Sequence, residues 1–66
     1  MNYTMLAILQ VAKNEWNQIR KNNEEGYTPH DCLDYALVYM SDNGEYYELT
    51  PQERKLLLSL MESEEK

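Results

Sequence analysis

Tyr27–Gly44, YTPHDCLDYALVYMSDNG, is the stretch whose reading decides the fold. It supports two structures. Thr28 places a hydroxyl where it can accept the backbone N–H of Asp31. Pro29 then falls on the first helical position, where a missing N–H costs nothing. Asp31 stands where a capping box wants an acid, and Tyr27 and Cys32 have the spacing of a hydrophobic staple. Leu33, Ala36, Leu37 and Met40 follow at helical spacing. Read this way, residues 29–42 are a helix that Asn43-Gly44 stops. The rival is a hairpin. Asp42-Asn43-Gly44 is also a turn signal, and the LVYM before it and EYYEL after it have strand-like composition. The Thr-Pro start favours the helix, which leaves Glu45–Leu49 as a loop or short extended segment.

The same device recurs at Thr50-Pro51-Gln52-Glu53. Here Glu53 completes a full capping box, and Leu56, Leu57, Leu58, Leu60 and Met61 follow. Leu57, Leu60 and Met61 are expected in the core. Leu56 or Leu58 is left partly exposed, as a dimer seam would be. The residues after the two caps do not correspond, so the repeat is of a helix start and not of a structural unit.

Upstream, Met5, Ile8, Leu9, Ala12, Trp16 and Ile19 step by three and four, the period of one helical face. Asn2 or Thr4 can cap this helix. Arg20 and Lys21 suit its C-terminal dipole, and Asn22-Asn23 and Gly26 end it. The expectation is a single all-α domain spanning 1–66, a compact three-helix bundle with helices at about 3–22, 29–42 and 51–63. The alternative is α+β, with a short hairpin around Asn43-Gly44.

Sixty-six residues with one cysteine allow no internal disulfide. A lone core of this size supplies only about 3–5 kcal/mol, so self-association or a partner is a natural source of further stability. Met5–Ala12 is apolar but too short to span a bilayer, and it lacks the basic flank of a secretory signal. The chain reads as soluble and cytoplasmic, with no membrane role.

The formal charge is −6. From Asn22 to Glu53 there is no Lys or Arg, while Glu24, Glu25, Asp31, Asp34, Asp42, Glu45, Glu48 and Glu53 all fall there. Phosphates need Lys and Arg, so direct nucleic-acid binding is disfavoured, and with it a small helical DNA-binding domain. His30 and Asp34 lie at i and i+4, yet a structural zinc site wants four ligands and no second cluster exists. A calcium loop through Gly44 would need acids where Tyr39 and Thr50 stand. Cys32 and His30 point to opposite sides of a helix, which argues against a nucleophile–base pair. Neither catalytic residues nor a cofactor or metal site is expected.

Tyr27, Tyr35, Tyr39, Tyr46 and Tyr47 all lie within the acidic stretch. Tyrosine is enriched at protein interfaces, and carboxylates around it steer a basic partner. The expected docking residues are Glu24, Glu25, Asp31, Asp34, Tyr35, Tyr39, Asp42, Glu45, Tyr46, Tyr47 and Glu48. The expected partner is a protein with a basic surface of the kind that holds nucleic acid, occluded stoichiometrically and without turnover. In size, acidity and lack of catalytic groups, the chain resembles the small inhibitors made by phages and mobile elements. These include anti-CRISPR, anti-restriction and anti-repressor proteins, some of them nucleic-acid mimics. The competing reading is a self-associating structural or regulatory subunit, a homodimer through apolar helix faces.

Overall fold

The computed structural model describes residues 2–63. Its elements are α1 (Tyr3–Lys21), α2 (Pro29–Asp42) and α3 (Pro51–Ser63), with no strand among the described residues. Each start is fixed by a side chain. Asn2 Oδ1 accepts the Met5 N–H at 2.8 Å. At α2, Thr28 Oγ1 accepts from Asp31 N at 3.3 Å, and Asp31 Oδ2 accepts from Thr28 N at 2.9 Å. The reciprocal pair at α3 joins Thr50 and Glu53 at 3.0 and 3.1 Å. Both Thr-Pro-x-acid stretches are therefore complete capping boxes.

The helix ends settle the contest between helix and hairpin. Glu45 N–H donates back to the Met40 carbonyl at 2.8 Å, and Gly44 N–H to Ser41 at 3.0 Å. With Gly44 at φ +86°, this is a Schellman stop, which turns the chain out of the helix instead of pairing it as a strand. The end of α1 repeats the pattern, with Glu24 N–H to Ile19 and Asn23 N–H to Arg20. There the left-handed residue is Asn23 at φ 56°, and Gly26 serves a later bend. Asn takes this conformation more readily than other non-glycine residues, so α1 ends without a glycine at its boundary.

The core comprises Met5, Ile8, Ala12 and Ile19 from α1, Cys32, Leu33 and Ala36 from α2, and Leu57 and Met61 from α3. Ala12 and Ala36 are both fully buried. Their small side chains suit a close approach of α1 to α2, the most extensive helix pairing in the fold. Leu60 and Leu58 are half-buried and Leu56 is exposed. The molecule measures 31 × 23 × 17 Å, its longest dimension close to the ~28 Å length of a 19-residue helix. Among the described residues, no helix is long and apolar enough to cross a membrane.

Candidate protein-docking face

Burial on α2 defines what the helix offers outward. Cys32, Leu33 and Ala36 are buried, and Leu37 and Met40 are half-buried beside them. At about 3.6 residues per turn, the opposite stripe runs through Asp31, Asp34, Tyr35, Val38 and Asp42, with Tyr39 on the margin nearer α1. Three large side chains stand in solvent there: Tyr35 is 51% exposed, Val38 59% and Tyr39 42%. The two tyrosine rings lie 6.5 Å apart at 53°, a tilted aromatic pair that covers the middle of the stripe.

A groove flanks this stripe on each side. Toward α1, Tyr35 and Tyr39 face Val11, Asn14, Glu15 and Gln18 across an open depression of about 350 Å³. Toward α3, Val38 and Leu37 border a second depression of about 410 Å³, with Tyr46, Glu48 and Arg54 on its far side. The α2 stripe is thus a ridge between two shallow troughs, apolar at its centre.

The carboxylates divide into three groups. Some serve the fold: Asp31 and Glu53 cap helices, and Glu53 also accepts the Tyr47 hydroxyl at 3.3 Å. One has a cationic partner: Arg54 donates to Asp34 Oδ1 at 2.9 Å. The rest of those between Asn22 and Glu53 are exposed. Glu24 and Glu25 lie in the connection before α2, and Asp42, Glu45 and Glu48 lie at or beyond its end. Three of the expected docking residues therefore have a share in the structure itself, the first being Asp31 in the cap of α2. Asp34 carries a counter-ion, and Tyr47 is half-buried against the core while its neighbour Tyr46 is exposed. Tyr46 donates to Glu48 at 2.7 Å, and that bond and the nearby charge raise its phenol above the ordinary range.

The C-terminal end of α2 departs from helix electrostatics. The last turn contains Asp42 and no basic residue. Negative charge is unfavourable at this end of the helix dipole, by about 0.3–1 kcal/mol at an exposed site. Glu45 and Glu48 follow directly. The stop occupies the carbonyls of Tyr39, Met40 and Ser41, so the attraction for a cation here comes from the helix dipole and the three carboxylates.

The side chains considered for chemistry are arranged otherwise. The Arg54 guanidinium sits against both His30 Nδ1, at 3.4 Å, and Asp34 Oδ1, so an arginine takes the place that a metal would share between them. Among the described residues, no group of three or more His, Cys, Asp or Glu is placed to hold a metal ion. Cys32 is buried, and that burial, reinforced by Glu15 and then Asp31, pushes its thiol up to about 11. It stays protonated at neutral pH and makes a poor nucleophile.

Sequence reading passed over Val38 and the α1 residues of the trough, Val11, Asn14, Glu15 and Gln18. Val38 was detectable, because it lies three residues after Tyr35 on the same face. The α1 residues were not, because their position depends on how α1 and α2 cross. Comparison with known protein families, with curated proteins and with solved structures found no match.

Proposed function

We propose that this chain is a small acidic binding module that docks the outer face of α2 on a basic surface of another protein. It acts by occupying that surface, without turnover. The surface best suited to it is one that otherwise receives nucleic acid, because such surfaces present Lys and Arg to phosphate. Inhibition in the manner of phage-type anti-defence or anti-repressor proteins is the corresponding physiological role. The observation that carries the reading is the end of α2. An exposed aromatic and aliphatic ridge runs into Asp42, Glu45 and Glu48 where helix stability alone would favour Lys or Arg. A local rule broken on an exposed apolar face is a mark of selection for something other than folding.

The test uses a variant with Asp42→Asn, Glu45→Gln and Glu48→Gln. Each change removes one negative charge, taking the formal net charge from −6 to −3. Immobilised wild-type protein should capture a partner from a lysate of the source cells at about 0.05 M salt and release it at about 0.5 M, where screening shortens to a few ångströms. Duplex DNA should compete for the captured protein, and the variant should retain much less of it. Capture that ignores salt, DNA and the three substitutions would overturn the proposal.

A second reading has one observation in its favour. Leu6 on α1 and Leu56 on α3 are each nearly half exposed, apolar side chains of the kind that a second copy of the chain would cover. Sedimentation at micromolar concentration decides it: a monomer removes this reading and leaves the first intact.

A further inference from the structure

A cavity smaller than the troughs lies where the second half of α1 meets the start of α2. Its volume is about 130 Å³, and its walls are Glu15, Ile19, Tyr27, Asp31, Cys32 and Tyr35. Sites for small-molecule ligands occupy about 300–1,000 Å³, so this one has the scale of a single side chain. Its base is apolar, formed by the buried Ile19 and Cys32. Tyr27 and Tyr35, 52% and 51% exposed, form an aromatic rim. Glu15 and Asp31 contribute two carboxylates. Asp31 is held in place, because its Oδ2 takes the Thr28 N–H while Thr28 caps the helix. Burial first, and then the same two carboxylates, raise the Cys32 thiol at the base of the cavity.

Aromatic rings and carboxylates around an apolar base select an organic cation. Arginine fits better than lysine. Its guanidinium is flat, stacks on aromatic rings, is weakly hydrated and presents donors along two edges to two acceptors. The chain's own Arg20, at the end of α1, is turned elsewhere: it lies over the Trp16 ring at 5.8 Å and donates to Asn17.

We infer that this cavity receives one arginine side chain from the partner's basic surface, with the guanidinium against Tyr27 and Tyr35 and the carboxylates of Glu15 and Asp31 as acceptors. This rests on the reading of α2 as a face for a basic protein. It adds an anchor at the N-terminal end of that face, opposite the acidic C-terminal end.

The experiment is a titration of the isotope-labelled full chain, followed by amide NMR, with arginine, lysine and citrulline, each blocked at both termini. Citrulline keeps the shape of arginine without its charge. Arginine should give saturable shifts centred on Glu15, Ile19, Tyr27, Asp31, Cys32 and Tyr35. Lysine should bind more weakly, and citrulline should leave the spectrum unchanged. Glu15→Gln and Tyr27→Ala should each weaken arginine binding about two- to fivefold while the remaining spectrum stays native. Asp31 is left intact because it caps α2. The inference fails if citrulline matches arginine. It also fails if the shifts do not saturate or spread equally over all carboxylates, or if both variants bind as the wild type does. No partner is present, so this result is separate from the capture experiment. Arginine binding without salt-sensitive capture would keep the cavity and remove the docking face. Capture of a partner unaffected by Tyr27→Ala and Glu15→Gln would keep the face and remove the anchor.

Discussion

Replacing Asp42 with Lys should make the protein more stable and a poorer binder. The substitution acts on an exposed residue at the last position of α2, so no packing is lost. Removing an acid from this end of the dipole is worth about 0.3–1 kcal/mol, and adding a cation is worth a similar amount. Screening and side-chain entropy reduce the sum, which leaves a net gain of about 0.5–1 kcal/mol. For a domain of this size, 1 kcal/mol moves Tm by about 4–8 °C, so the expected rise is about 2–8 °C. Thermal unfolding followed by circular dichroism at low salt measures it. Repeating the melt near 1 M salt, where the Debye length is about 3 Å, should erase most of the gain. Asp42→Asn should give roughly half the effect. A Tm that falls, or a rise that salt does not touch, would refute the argument that Asp42 works against its own helix. It would also remove the strongest support for the docking face.

Three further outcomes are expected. Leu57→Ala empties a fully buried position, at a cost of about 2–5 kcal/mol against the ~3–5 kcal/mol a core this small supplies; far-ultraviolet circular dichroism at 25 °C should show most of the helix lost. Gly44→Ala meets no atom within 4 Å, so its cost is the left-handed backbone alone, about 1–2 kcal/mol, and chemical denaturation should report it without a change in slope. The Cys32 thiol is raised from 9.0 to about 11, so the folded state holds its proton longer than the unfolded chain does. Stability from this group is complete below pH 9 and declines as pH rises toward 11, by at most about 2–3 kcal/mol, and Cys32→Ala should remove that decline relative to wild type.

The sequence made the helices readable because their starts and stops are local. Thr28 with Asp31, and Thr50 with Glu53, need only three residues to make their bonds. Asn43-Gly44 was ambiguous because the same dipeptide serves a helix stop and a hairpin. What separates them is the Glu45-to-Met40 bond, which depends on the helix already being there. Asn23 was less legible than Gly26, since a glycine advertises a left-handed turn and an asparagine only permits one. The face itself was half readable. Period and composition put Tyr35, Tyr39 and Asp42 on one side of α2. Pairing across twenty residues, Arg54 on Asp34, follows from the docking of α3, as the Glu15 wall of the small cavity follows from the crossing of α1. In the connection after α2, adjacent tyrosines take opposite roles, Tyr47 against the core and Tyr46 in solvent. Neither residue type nor spacing distinguishes them there, because the segment has no helical period.

The chain's single thiol is sealed between α1 and α2 at the first turn of α2. A reagent reaches it when those helices part or the whole domain unfolds, so slow alkylation of the native protein counts those openings, with no probe added. Anything that bridges the seam lowers the count in proportion to its occupancy. The molecule therefore carries its own stopwatch for whatever grips it there.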